Sequence, residues 1–187
     1  MQLLAQTDTQ DALKQIQRGI EKEGLRVTKY GNLALTPHPR SLGSALTNSS
    51  LTTDFSESLL EFITPVCDTA KDALQYLQNI HSFTASRLAD EHVWCSSMPC
   101  MLPDDASIPL ALYGSSNIGT MKTAYRRGLG HRYGRAMQTV AGIHYNFSLP
   151  DSFWQIEQQS APIQNRQLPL DQYVSCLLYT SDAADES

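Results

Sequence analysis

The sequence predicts a mixed α+β chain, and three observations carry that reading. Residues 17–27 and 58–64 read as strands, and Ile143, Tyr145, Phe147 and Leu149 alternate with His144, Asn146 and Ser148 in a strict period of two. Between them, Ala70, Ala73, Leu74, Leu77 and Ile80 recur at helical spacing, which predicts a helix over residues 69–90. With 187 residues, the chain is long enough for one domain with a core, or for part of a larger one.

Taken in order, a short amphipathic helix is expected at 8–16, followed by the 17–27 strand. Tyr30-Gly31-Asn32 marks a turn into a second short strand, and Pro37 opens a loop that runs through Gly43 to Ser50. Pro65 closes the 58–64 strand because it has no N–H to give a ladder. Thr69 followed by Asp72 is a helix-start signal. Residues 93–109, broken by Pro99, Pro103 and Pro109, read as an irregular connection. A second helix is expected over 122–141, interrupted at Gly128, Gly130 and Gly134, and leads into the 143–149 strand, with one apolar and one polar face. After Pro150 the signal weakens.

A formal net charge of −5 offers no general attraction to nucleic acid or to an anionic membrane. No apolar run approaches the roughly 18 residues of a membrane span, and the start MQLLAQTDTQ lacks a signal peptide's regions. The expected setting is therefore the cytoplasm. Cys67, Cys95, Cys100 and Cys176 do not form a disulfide framework, and their spacing does not favour structural zinc, so they read as buried or partly buried thiols. The acceptor patterns at Asn48 and Asn146 have no meaning without secretion.

The chemistry lies in carboxylates placed inside apolar segments. Glu21 and Glu23 in GIEKEGLRV point to one side of a strand, and Glu61 shares a face with Leu59 and Ile63, with Asp54 seven residues before it. A buried carboxylate is costly unless it is paired or binds metal, so several on one face suggest a cation site, and hard oxygen ligands suit Mg²⁺ or Mn²⁺. Glu57 serves as the contrast: it follows Asp54 in a loop and reads as exposed. Gly114 to Gly119 nearly matches a phosphate loop, but Thr120 stands where Lys is needed, so a glycine-rich connection is the better reading. Lys122, Arg126, Arg127, Arg132 and Arg135 form the densest basic cluster, either a solvated face or one that sets Arg126 against a carboxylate or phosphate. His144 and Asn146 sit two apart on the polar face of a buried-looking strand, as core hydrogen-bonders or as ligand contacts. No local nucleophile signature supports covalent hydrolysis.

The segments GIEKEGLRV, LGSALTN, TTDFSESLLEFITPV, SMPC, YGSSNIGTMKTAYRRGLGHRYG, MQT and GIHYNFSLP together resemble the amino-terminal part of the bacterial glutamate–cysteine ligase family. The resemblance implies a glutamine synthetase-like fold: a curved, mostly antiparallel sheet with helices on its outer face, here incomplete. It implies ATP-dependent joining of the γ-carboxylate of L-glutamate to the α-amine of L-cysteine through an acyl phosphate, the first step of glutathione biosynthesis. Two anions must meet in that reaction, so divalent cations are needed to neutralise and align them. By position, Glu21, Glu23, Asp54 and Glu61 match the family's metal-binding acids, Arg126 its catalytic arginine, and Tyr125, His144 and Asn146 its substrate-binding residues. The residues that bind the nucleotide are not identified. Residues 1–173 are expected to be the amino-terminal part of a catalytic domain, and 174–187 a non-native or disordered tail. Two alternatives stand beside this reading: a non-catalytic metal- or amino-acid-binding fragment, and another carboxylate–amine ligase.

Overall fold

In the computed structural model, residues 7–160 are described, and they fall into two units, each treated separately below. The smaller unit comprises residues up to Gln17 and those from Phe147 onward. In it α1 (Thr7–Leu13) packs on α4 (Asp151–Ser160), with Ala12 and Thr9 buried. Helix α4 lies after Pro150, where no element was expected. The expected 174–187 tail and Cys176 lie outside the described residues.

The larger unit, residues 18–146, is built on an antiparallel sheet. Its long strand β1 (Gln17–Thr28) pairs with β3 (Leu59–Ile63), which pairs in turn with β2 (Leu51–Thr53). On β1, Arg26 to Thr28 pair with β4 (Glu91–Val93), and β5 (Ile143–Ser148) also joins β1. Strands β2 and β4 have three residues each, too few for an alternation to register. The second strand expected after Tyr30 is reduced to isolated bridges, Val27 to Leu33 and Asn32 to Met101, because the chain turns away at once into the proline-bearing loop.

Register decides the two faces. Lys22 faces Phe62 and Gly24 faces Leu60, and this side is covered by α2 (Ala70–Arg87), with Leu60, Phe62, Leu42, Leu51, Ile80 and Leu88 as its core. Gly24 is required by close approach: a Cβ there would lie 2.8 Å from Val93 Cγ1. The helix start is as expected, since the Thr69 side chain accepts a hydrogen bond from Asp72 N–H at 3.1 Å. Thr69→Ala is therefore expected to cost about 1 kcal/mol in denaturant unfolding, the usual value of a helix cap; no change in midpoint would show that the cap contributes nothing.

The other face holds Leu25 opposite Leu59, both fully buried in a second core with Phe55, Val27 and Ile108. Beyond Leu25 and Leu59 the same face passes to Glu23 opposite Glu61. Helix α3 (Asn117–Tyr133) starts five residues earlier than expected and is not interrupted at Gly128 or Gly130. The Ser116 side chain accepts from Gly119 N–H at 3.1 Å, and the helix ends at Gly134, whose φ of +80° suits glycine. The phosphate-loop look of residues 114–119 thus has a conformational origin: Gly114 has φ +83°, and a Cβ on Gly119 would lie 2.4 Å from the Tyr113 carbonyl oxygen.

Candidate active site

Pairing β1 with β3 brings the acids together. Glu23 stands directly opposite Glu61, Glu21 is two residues along on the same face, and Thr52 of β2 faces Glu61 from the other side. Asp54, just beyond β2, keeps the parity of Thr52 and so joins that face. Partial burial and the neighbouring charges of Asp54, Glu21 and Glu23 push the Glu61 carboxyl up to about 7, against a smaller opposing effect from Arg126. Glu23 is also raised, first by burial, although the Gly142 N–H that donates to its Oε2 at 2.7 Å acts in the opposite sense.

These four side chains share a face without forming a closed coordination sphere: among the described residues, no three His, Cys, Asp or Glu groups converge as metal ligands. Two of the acids already have hydrogen-bond donors. Glu21 accepts from Asn146 Nδ2 at 2.9 Å and lies 3.4 Å from His144 Nδ1, while Glu23 holds Gly142. The donor set is nonetheless all oxygen, and a divalent cation would relieve the like-charge cost that raises Glu61, so the residues fit Mg²⁺ or Mn²⁺.

The remaining expected residues divide. His144 and Asn146 do face the acids, but β5 is exposed on both faces and not buried as its pattern suggested; Ile143 and Tyr145 are 63% and 56% exposed. An alternating pattern reports two different faces and not whether another layer covers them. Among the described residues Arg126 pairs with no carboxylate: its Nε donates to the Asp54 carbonyl, and its Nη1 to the Lys122 carbonyl at 3.1 Å. Its neighbour Tyr125 is 64% exposed.

Glu57 overturns its expectation. It is 5% exposed, and its carboxylate accepts from Leu112 N–H at 2.6 Å and from His38 N–H. The loops that bring those N–H groups in are distant in sequence, so position beside Asp54 could not show it. Arg26, which lies in GIEKEGLRV but was not expected as a site or core residue, is fully buried and paired with Glu91, and it also donates to Thr36 and to the Glu57 carbonyl at 3.0 Å. A charge between Leu25 and Val27 in an apolar strand is the signal that points to it. Cys95 is exposed where a partly buried thiol was expected, and Cys67, Cys95 and Cys100 are free.

An antiparallel sheet with one helix-covered face and one face of clustered carboxylates beside an arginine defines an α+β protein with a charged site on the open face of its sheet. Residues 1–178 match the model of the glutamate–cysteine ligase family, and this chain belongs to that family. Glutamate–cysteine ligase of Saccharophagus degradans is 67% identical over 139 residues, covering 74% of this chain and 26% of the relative. That of Alcanivorax borkumensis is 54% identical over 172 residues, covering 92% of this chain and 32% of the relative. The crystal structure of glutamate–cysteine ligase from Francisella tularensis in complex with AMP superposes with a TM-score of 0.75 at 46% identity, over 78% of this chain and 29% of that one. A bifunctional glutathione synthetase from Pasteurella multocida gives the same score at 34% identity, over 85% of this chain and 21% of its own. The chain thus spans about a third or less of the length of these relatives.

Proposed function

We propose that this chain supplies the carboxylate-lined part of the active site of an ATP-dependent glutamate–cysteine ligase. The observation that carries the reading is Glu23 opposite Glu61, whose carboxyl partial burial, with Asp54 and Glu21 nearby, raises to about 7. In the reaction the γ-carboxylate of L-glutamate takes the γ-phosphoryl group of ATP, and the α-amine of L-cysteine displaces phosphate from the acyl phosphate to leave γ-glutamylcysteine. Glu21, Glu23, Asp54 and Glu61 would hold Mg²⁺ or Mn²⁺, which supplies charge neutralisation between the two reacting anions. Arg126, fixed by two backbone carbonyls, presents a cation at the edge of the acidic face, where negative charge moves during transfer. His144 and Asn146 hold Glu21 in orientation and, with Tyr125, offer polar contacts to the amino-acid substrates.

Free thiols and the lack, among the described residues, of any helix long and apolar enough to cross a membrane fit a cytoplasmic setting. The AMP complex of the Francisella tularensis relative supports a nucleotide as the phosphoryl source.

Cation binding must expel the Glu61 proton, so Mn²⁺ affinity is expected to rise as pH rises through about 7. Calorimetric titration of Mn²⁺ at pH 7 in two buffers of different ionisation enthalpy should show release of roughly half a proton per chain, as expected for a ligand group titrating at that pH. Heats that are the same in both buffers would remove Glu61 from the ligand set.

A further inference from the structure

We propose that Tyr113 is the positioning residue of this site: its ring seats Arg126 while its hydroxyl fixes the backbone of Asp54, so one side chain sets the arginine against the acidic face. The proposal rests on the reading above that Asp54 and Arg126 belong to the active site. Tyr113 is 5% exposed, and its hydroxyl donates to the Thr53 carbonyl at 2.6 Å with the Asp54 carbonyl at 3.0 Å. That same Asp54 carbonyl accepts the Arg126 Nε–H. The Arg126 guanidinium lies 4.7 Å from the centroid of the Tyr113 ring, and Lys122 Nζ lies 5.1 Å from it. Two like charges one helical turn apart repel, and a shared π face offsets that cost where solvent is partly excluded.

The chain is arranged to deliver this ring. Ala111 N–H donates to the Phe55 carbonyl and Glu57 N–H to the Pro109 carbonyl, each at 3.0 Å, while the Glu57 carboxylate takes Leu112 N–H. Residues 109–112 are therefore zipped along 55–57, which brings Tyr113 under the end of β2. From the other side, α3 comes so close that Gly119 has no room for a side chain against the Tyr113 carbonyl, and Thr123 Oγ1 donates to the Ala111 carbonyl at 3.2 Å. The helix that carries Tyr125 and Arg126 is docked on the same residue that holds Asp54.

A buried tyrosine with a satisfied hydroxyl is commonly only a core residue, packed here with Ala45 and Ala111. The two roles separate in the arginine side-chain region of ¹H–¹⁵N spectra of the 187-residue chain, with the Arg126 Nε–H signal assigned by its loss in Arg126→Lys. In the parent this signal should be shifted by the ring current and protected from exchange. Tyr113→Phe keeps the ring and should keep the shift. Tyr113→Leu should abolish the shift and speed Nε–H exchange about tenfold, the loss of a partly desolvated cation–π contact. Mn²⁺ affinity should weaken at least about threefold in the Leu variant, which loses both the ring under Arg126 and the hydroxyl on Asp54, and by a smaller factor in the Phe variant, which loses the hydroxyl alone. An unchanged Arg126 signal in Tyr113→Leu overturns the proposal. So does a lost ring-current shift in Tyr113→Phe, which decides the matter if the Leu variant fails to fold. A parent chain that shows the Arg126 signature but does not bind Mn²⁺ instead overturns the functional reading.

Discussion

Glu61→Gln is expected to raise the stability of this chain while removing catalysis. Glu61 titrates near 7 in the folded state against about 4.3 in an unfolded chain, so the folded protein binds its proton more tightly. A raised carboxyl contributes stability that is complete below the unfolded value and lost as pH rises through the folded one. The parent should therefore weaken between about pH 4.5 and 7, and Gln, which carries no charge, should not share that loss. Because Glu61 is only half-buried, solvent screening leaves about 1–2 kcal/mol at pH 8 in favour of the variant. At about pH 4, below the unfolded value, the two should unfold at the same denaturant concentration. The catalytic half is read in a hybrid enzyme, in which residues 18–146 of this chain replace the matching segment of the Saccharophagus degradans relative. There Glu61→Gln should lower glutamate- and cysteine-dependent ADP release about 10²-fold or more, the usual effect of removing a charge that acts in the transition state. Activity within about twofold of the parent hybrid would exclude Glu61 from the site.

Arg26→Leu should cause a large loss of stability. The guanidinium is fully buried and satisfies Glu91, Thr36 and the carbonyls of Thr36, Pro37 and Glu57. A leucine fills much of the space but leaves the Glu91 carboxylate with only the Thr36 hydroxyl as a donor and no opposite charge, and takes the guanidinium from three carbonyls. Removing one partner of a buried ion pair costs about 3–5 kcal/mol, far more than the intact pair contributes. Urea unfolding should show a loss of that order. Replacing both partners, as in Arg26→Leu with Glu91→Leu, should recover part of it, because no buried charge is then left unpaired. A single variant within about 1 kcal/mol of the parent would show that water enters and solvates Glu91.

Much of the site is legible in the sequence because it lies on two strands. Alternation alone puts Glu21 with Glu23 and Glu61 with Leu59, and no other arrangement of an extended chain is available. What alternation does not supply is the partner. Glu23 meets Glu61 only because β1 and β3 run antiparallel in the register that also buries Leu25 on Leu59; a slip of one residue would place Glu61 on the α2 side among Phe62 and Leu60. Glu57 departs from its pattern for a related reason. Its local sequence is that of a polar turn, while its burial comes from two N–H groups, at His38 and Leu112, in loops distant in sequence.

The residues by themselves determined the long helix and its cap, the period-two strands, the acidic face and the family to which it belongs, because each is written in spacings of a few positions. Tertiary structure alone decided that Arg26 and Glu57 are buried, that Arg126 rests on Tyr113 and a backbone carbonyl and not on a carboxylate, and that β5 is exposed on both faces. Burial, and the pairing of charges it demands, depends on segments that meet across tens of residues. Short-range periodicity carries no record of which segments those are.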